Sequence, residues 1–189
     1  MATTLRTPRL FTVSEYYAMA RAGVLHENDR VELIRGQIIP MSPTGSRHAN
    51  SLRRLDRLFQ RRVDPEALVS AQNPILLSRH SEPEPDLAIL KPKEEIYEAR
   101  HPRPDEVLLV IEISDTTLDF DQQVKTLLYA KEGIQEYWIV NLEEEGLEVY
   151  RQPGPDGYAE TMTLQRGDEV DILALPAAGM FSVEEILGP

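Results

Sequence analysis

Two short apolar runs, residues 106–114 and 134–141, lie on either side of an amphipathic segment at 119–132. Apolar runs of this length predict buried strands, and apolar residues spaced three and four apart between them predict a helix. A strand, a helix and a second strand predict a crossover unit, in which the two strands belong to a sheet covered on both faces. The predicted core-facing stripe of the helix consists of Phe120, Val124, Leu127 and the stem of Lys131.

The rest of the chain surrounds this unit with shorter elements. In chain order the sequence predicts a helix from Thr12 to about Ala22, a β-hairpin at 31–42, a helix at 46–63, strands at 67–71 and 73–77, and a strand from Asp86. A surface segment at 91–105 follows, and the C-terminal part predicts hairpins near 154–157 and a short helix from Ser182. The fold class is therefore α/β or α+β, with a mixed central β-sheet flanked by helices, and 189 residues suit a single domain over 1–189.

The composition excludes several classes of site. The chain has no cysteine, so disulfides, thiolate zinc sites and cysteine nucleophiles are ruled out. Residues 1–17 lack the apolar core of a signal peptide, and no run reaches the roughly 18 apolar residues of a membrane span. We expect a cytoplasmic protein without a membrane partner.

The charge distribution is uneven. The formal net charge is -12, but residues 47–62 carry +5 and the remainder carries -17. Net acidity disfavours binding to phosphate backbones, whereas a basic patch on an acidic protein can still bind phosphate locally. The candidate nucleic-acid-binding residues, which share one helix face, are Arg53, Arg54, Arg57 and Arg61. A solvated helix surface is the alternative interpretation.

A carboxylate interrupts the apolar run "LLVIEISDTT" at residues 108–117. Glu112 and Ser114 are two positions apart, so they point to the same face of the predicted strand. Asp86 opens a neighbouring strand and can bring a second carboxylate beside Glu112. Two carboxylates at close range need a cation between them, and Mg²⁺, or Mn²⁺ in its place, suits such oxygen ligands. Lys125, on the following helix, can reach back to this end of the strand.

Each of these residues also has an ordinary structural interpretation. Glu112 can pair with a buried Arg or Lys, Asp86 can cap a turn, and Lys125 can pair with Asp121 across one helical turn. His48 lies on an apolar helix face, which favours packing in the core or in the wall of the site. Ser114 favours a hydrogen bond to the turn or to a water over a nucleophilic role.

A series of motifs in order resembles a known family. The segments "ELIRGQIIPMSP", "PDLAIL", "VIEISDTT" and "GIQEYWIVN", with Asp121, Lys125 and Tyr129, resemble the Uma-type family of restriction-endonuclease-like proteins, a domain of unknown function. The resemblance covers about residues 8–185. It places the chain near the PD-(D/E)xK superfamily and implies a restriction-endonuclease-like fold and Mg²⁺-dependent phosphodiester hydrolysis.

The resemblance also implies roles for particular residues. Asp86 and Glu112 match the metal ligands, Lys125 matches a lysine that has moved to the next helix, and Glu32 matches an acidic position in the first motif. A solvated charge on a hairpin strand is the alternative for Glu32. Ser114 stands where the superfamily usually has its lysine, so activity requires Lys125 to fill that place.

Three functional hypotheses follow. The first is a metal-dependent endonuclease that hydrolyses DNA with Asp86, Glu112, Lys125 and Glu32 as catalytic residues. The second is a catalytically inactive nuclease-like module for nucleic-acid binding or assembly. A glycoside hydrolase using the same two carboxylates is the third, although one tryptophan offers little surface for sugar stacking. The resemblance further implies a homodimer, since restriction-type nucleases often pair subunits to cut two strands.

Overall fold

The computed structural model describes residues 8–26 and 28–188, and the predictions for residues 1–7 lie outside that part. Helix α1 spans Val13–Arg21 and begins with a capping box, in which Thr12 and Glu15 each accept the other's backbone N–H. The hairpin follows with β1 at Val31–Ile34 and β2 at Gln37–Pro40. Both turn residues have positive φ, and a Cβ on Gly36 would lie 2.6 Å from the Leu10 Cβ, so this turn requires glycine.

Most of the predicted elements form where the sequence places them. The central part of the chain contains α2 at Ser46–Val63, β3 at Leu68–Ala71, β4 at Leu87–Leu90, α3 at Glu94–Tyr97, a 3₁₀ turn at Pro104–Glu106 and β5 at Val107–Ser114. The crossover helix consists of α4 at Leu118–Phe120, a π-helical turn at Asp121–Lys125 and α5 at Thr126–Lys131. It leads into β6 at Glu136–Asn141, the hairpin strands β7 at Gly146–Gly154 and β8 at Gly157–Leu164, then β9 at Glu169–Val170, a 3₁₀ turn at Pro176–Ala178, β10 at Phe181–Ser182 and α6 at Val183–Leu187.

A six-stranded sheet forms the centre of the molecule, in the order β3-β4-β5-β6-β7-β8. Strands β5 and β6 are parallel and the other neighbouring pairs are antiparallel, so the predicted crossover and mixed sheet are confirmed. The hairpin β1–β2 is a separate two-stranded sheet, joined to the loop before β4 by a bridge between Leu33 and Glu82. This bridge holds the hairpin against the N-terminal end of β4.

Both faces of the sheet are covered, as the uninterrupted apolar strands predict. One face packs against α2 and α6 and includes Ile111, Ile113 and Trp138. The other packs against α5 and the hairpin and includes Val110, Tyr129 and Tyr137. Because side chains alternate along β5, Glu112 points to the second face, toward the crossover helix.

Two local predictions are wrong. The predicted strand at 73–77 does not form, because its backbone N–H groups bond to loop carbonyls of Pro83, Ser81 and Pro102 instead of a strand. The predicted core stripe of the crossover helix is wrong in part: Phe120 and Val124 are half-buried and pack against the core, but the fully buried residues are Asp121, Lys125, Leu128, Tyr129 and Ala130, and Lys131 is exposed. Hydrophobic periodicity assigns charged residues to the solvent-facing side of a helix. It therefore misplaces the buried face of the crossover helix, because Asp121 and Lys125 are both buried there.

Over residues 8–26 and 28–188, no helix combines the length and apolar character needed to cross a membrane.

Candidate active site

An open cleft of about 660 Å³ lies where the hairpin, the first turn of α2, the ends of β4 and β5, and the crossover helix meet. Eight acidic side chains line it, against two permanently cationic ones, Arg30 and Lys125. The four residues that the sequence nominates as catalytic all lie here: Glu32, Asp86, Glu112 and Lys125. They come from four different elements, so only the folded chain brings them together.

Asp86 and Glu112 are neighbours because of the register between β4 and β5. Leu87 pairs with Ile111, so the residue before β4 meets the next residue of β5. The Asp86 N–H points at Glu112 Oε2 over 3.4 Å, and the Ile113 N–H donates to Asp86 Oδ2 over 2.9 Å. The two carboxylates thus face the cleft from adjacent strands.

The charge of Glu112 inside an apolar strand is compensated from the helix. Its side chain is 3% exposed, and its Oε1 accepts hydrogen bonds from Lys125 Nζ at 2.8 Å and from the Tyr129 hydroxyl at 2.9 Å. A buried carboxylate is stable only when such partners replace its lost hydration. Even so, burial raises the pKa of Glu112 above its ordinary value, although the Lys125 ammonium opposes the rise.

Lys125 is a buried cation shared among three carboxylates. Its Nζ lies 2.8 Å from Glu112 Oε1 and 3.9 Å from both Glu32 Oε1 and Asp121 Oδ1. Burial lowers the pKa of Lys125, but the attraction of the three carboxylates outweighs burial and the net direction is upward. The three carboxylates therefore favour the protonated ammonium.

Glu32 reaches the site from β1. It is 4% exposed, which excludes a solvated edge charge, and its Oε2 accepts the Glu84 N–H at 3.2 Å. Burial raises the pKa of Glu32, and Lys125 opposes the rise. Burial also raises the pKa of Glu84 and of Asp121. The cleft therefore contains more carboxylate groups than the single positive charge of Lys125 can neutralise.

His48 forms part of the wall of the site and contacts a candidate ligand. Its Nε2 lies 2.9 Å from Asp86 Oδ2, so this oxygen is held by both the imidazole and the Ile113 N–H. The hydrogen bond to Asp86 raises the pKa of His48, while burial opposes the rise. Of the two expected packing positions for His48, the wall of the site is the observed one.

Ser114 occupies the end of β5 on the same face as Glu112. It is 1% exposed, and its hydroxyl makes no well-formed hydrogen bond within residues 8–26 and 28–188, although it lies near enough to the Asp121 carboxyl to oppose the rise of that group's pKa. Of the two expected partners of this hydroxyl, the turn and a water, the water stays a prediction.

Two residues of the cluster, Asp121 and Tyr129, belong to the motifs quoted from the sequence but had no catalytic role assigned. Asp121 accepts a hydrogen bond from Thr117 at 2.7 Å and approaches Lys125, and Tyr129 donates to Glu112. Tyr129 follows Lys125 by four positions, and residues four apart share a helix face. This spacing is the sequence signal that could have identified Tyr129.

The four candidate arginines divide into two kinds. Arg53, Arg57 and Arg61 are exposed, and we find no ion pair to their side chains among the described residues. Arg54 instead donates to the carbonyls of Ile186 and Leu187 at the end of α6. Together with Asn50, Leu58 and Glu185, the four arginines line a groove of about 390 Å³ on the side of α2 that faces away from His48.

The mixed sheet, its helical cover and the carboxylates beside a buried lysine define a restriction-endonuclease-like protein. A family model described as "Putative restriction endonuclease", Uma2, matches residues 13–184. The chain therefore belongs to the Uma2 family, which confirms the resemblance seen in the sequence.

A solved structure supports the fold. The chain is similar to a protein described as a "putative nuclease belonging to DUF820" from Anabaena variabilis ATCC 29413, with 19% identity and a TM-score of 0.71. The match covers 94% of this chain and 97% of that one. Curated proteins gave no significant match. The predicted fold class, a mixed sheet of restriction-endonuclease type, is confirmed.

Proposed function

We propose that this chain is a metal-dependent endonuclease that hydrolyses phosphodiester bonds in DNA. The observation that carries the proposal is the pairing of Asp86 and Glu112 at the edge of an acidic cleft, with Lys125 fixed beside them. Membership of a nuclease-like family supports the same chemistry. The proposal assigns catalytic roles to Asp86, Glu112, Lys125 and Glu32.

The oxygen atoms of the site fit Mg²⁺, or Mn²⁺ as a substitute. Within the described residues no group of three or more His, Asp or Glu side chains is arranged to hold an ion without other ligands. Mg²⁺ does not require such a group, since one or two carboxylates with waters and substrate phosphates complete its shell. Asp86 and Glu112 would hold the ion, because Asp86 Oδ1 has no hydrogen bond to the described residues and Glu112 Oε2 has only the long contact to the Asp86 N–H.

When bound there, Mg²⁺ would supply Lewis acidity toward a phosphoryl oxygen and toward a water. The residues of the chain prepare the site for that ion. His48 and the Ile113 N–H fix the Asp86 carboxylate, and the Lys125 ammonium offsets negative charge that develops at the phosphate. Glu32 faces Lys125 from the hairpin and adds to the negative potential that favours a divalent cation.

The metal requirement gives the first test. Titration of the wild-type chain with Mn²⁺ in a calorimeter is expected to show binding at one site, and supercoiled plasmid is expected to be nicked with Mg²⁺. Addition of EDTA should stop nicking, and excess Mg²⁺ should restore it. Nicking that persists in EDTA would contradict the proposal, and the absence of both Mn²⁺ binding and nicking would favour the inactive binding or assembly module.

The arginine groove on α2 is the proposed contact surface for DNA. An acidic cleft repels a phosphate backbone, so binding requires positive charge elsewhere on the surface. Arg53, Arg57 and Arg61 supply this charge at intervals of four residues, about 6 Å of helix rise each. Arg54 contributes less, because it is held by carbonyl groups at the end of α6.

Salt dependence tests this surface. Each phosphate contact contributes about -0.9 to the slope of log binding constant against log salt, so Arg57→Gln is expected to reduce the slope by about 1. Fluorescence anisotropy with labelled duplex in the absence of divalent metal measures it without cleavage. Arg79→Gln, which removes an exposed arginine elsewhere, is the matched control and should leave the slope unchanged. Equal slopes for Arg57→Gln and wild type would remove Arg57 from the DNA surface.

A homodimer, which the family resemblance implies, stays a prediction. Sedimentation of the protein with and without a DNA duplex would measure its oligomeric state.

A further inference from the structure

The Tyr129 hydroxyl bonds to a carboxylate of the site, unlike those of its neighbours in the core. Tyr129 belongs to a column of four aromatic rings with Tyr137, Tyr150 and Tyr158, in which its own centroid lies 5.0 Å from that of Tyr137. Tyr137 and Tyr158 donate their hydroxyls to backbone carbonyls. Tyr129 donates to Glu112 Oε1. The Tyr150 hydroxyl also bonds to a carboxylate, that of Glu148, which lies outside the cleft; Tyr129 differs in that its acceptor is a carboxylate of the site.

The two oxygens of Glu112 have different surroundings. Oε1 accepts from two buried donors, Lys125 and Tyr129, whereas Oε2 has only the 3.4 Å contact to the Asp86 N–H. Strong donors on one oxygen fix the carboxylate plane and leave the other oxygen free toward Asp86. This is the arrangement that a ligand needs in order to present one oxygen to a cation.

Lys125 alone does not select this orientation. Its ammonium is shared with Glu32 and Asp121, each 3.9 Å away, so a small movement of the flexible lysine can favour a different carboxylate. Among the carboxylates of the described site residues, Tyr129 hydrogen-bonds Glu112 alone. Its side chain is fully buried and its ring is fixed by the aromatic column. The Tyr129 hydroxyl, a neutral donor on a rigid ring, therefore determines which oxygen of Glu112 accepts the buried hydrogen bonds.

We propose that Tyr129 is a positioning residue for Glu112, which holds Oε1 so that Oε2 faces Asp86 and the metal ion. The proposal rests on the proposed function, because it assigns Glu112 as a ligand. Tyr129 is not a catalytic residue, since it lies behind the carboxylate and its contact is with Glu112. Loss of an outer partner of a metal ligand typically costs about 10- to 100-fold in metal affinity or activity.

Tyr129→Phe tests the proposal, because it removes the hydroxyl and keeps the ring. Mn²⁺ affinity by calorimetry is expected to fall roughly 10-fold or more, with a similar fall in kcat for plasmid nicking. KM for DNA should not change, since the hydroxyl faces Glu112 and not the substrate. Tyr158→Phe is the matched control: it also removes a hydroxyl from the aromatic column, from a half-buried side chain that bonds to the Ile134 carbonyl, and it should bind Mn²⁺ as wild type does.

The outcomes separate the two proposals. Unchanged Mn²⁺ affinity in Tyr129→Phe, beside normal binding by wild type, would overturn the positioning role and leave the proposed function standing. Failure of the wild-type chain to bind Mn²⁺ would overturn both. If Tyr129→Phe does not fold, the test uses wild-type protein labelled with ¹³C at tyrosine Cζ. A tyrosine signal that is also present in the spectrum of Tyr158→Phe should then shift on addition of Mg²⁺. The absence of any such shift would overturn the positioning role.

Discussion

Glu112→Gln is expected to reduce DNA cleavage by more than about 100-fold while leaving the fold intact. Loss of a hydrogen-bond partner of a metal ligand typically lowers metal affinity or activity by about 10- to 100-fold. Loss of the charge of the ligand itself should lower activity further. The fold should survive because the glutamine carbonyl can still accept from Lys125 and Tyr129, the two groups that hold Glu112. Plasmid nicking with Mg²⁺ measures the loss, and thermal unfolding measures the stability.

Glu143→Gln is the control for this variant. Glu143 also lines the cleft, but its side chain is exposed and lies outside the carboxylate–lysine cluster. It should cleave DNA at close to the wild-type rate. Cleavage by Glu112→Gln within a few-fold of wild type, in preparations purified side by side, would exclude Glu112 as an essential ligand.

Lys125→Met is expected to lower the free energy of unfolding by about 3–5 kcal/mol at pH 8, the usual cost of removing one partner from a buried ion pair. Methionine has similar volume, so the effect reports on charge. Without the ammonium, Glu32, Glu112 and Asp121 face one another with nothing to offset their repulsion. Urea unfolding measures the difference, and cleavage should be lost as well.

The stability deficit of Lys125→Met should depend on pH. Burial already raises the pKa of all three carboxyl groups above their ordinary values in the wild-type protein, and removal of Lys125 raises them further. A raised carboxyl pKa favours the folded state at low pH, and this advantage is lost as pH rises through the folded-state pKa. The deficit should therefore be smaller at pH 5 than at pH 8.

Two further variants check the interpretation of Lys125→Met. Lys131→Met changes an exposed lysine of the same helix and should alter the free energy of unfolding by no more than about 0.5 kcal/mol. Adding Glu112→Gln to Lys125→Met should restore part of the lost free energy of unfolding, because it removes one of the buried carboxylates that Lys125 no longer neutralises. A deficit that is independent of pH and of Glu112 would mean that Lys125 stabilises the fold by packing alone.

The sequence predicts the pairing at the centre of the site because that pairing follows from strand patterns. Alternation along β5 places Glu112 opposite to its apolar neighbours, and the crossover unit places Lys125 on a helix that returns over the same face. Asp86 opens the adjacent strand, so the register between β4 and β5 brings it beside Glu112. Strand alternation, the crossover unit and the pairing of adjacent strands each allow few alternative placements of these residues.

Other parts of the site depend on docking between elements that are distant in the chain. Glu32 reaches Lys125 only because the hairpin binds to the loop before β4, and the family resemblance, not its local pattern, nominated it. The rotation of the crossover helix was missed because hydrophobic periodicity treats Asp121 and Lys125 as solvent-facing. Arg54 was grouped with the other arginines because its carbonyl partners at the end of α6 lie more than 130 positions away.

The arginine groove has a consequence for how a polyanion first meets this protein. Residues 47–62 carry +5 on a molecule whose remainder carries -17, so most of the surface repels a phosphate backbone and α2 attracts it. Under the proposed function, a diffusing polyanion would therefore be oriented before contact, with α2 leading. The screening length falls from about 10 Å at 0.1 M salt to about 3 Å at 1 M. This electrostatic orientation therefore acts at low salt concentration and is lost at high salt concentration.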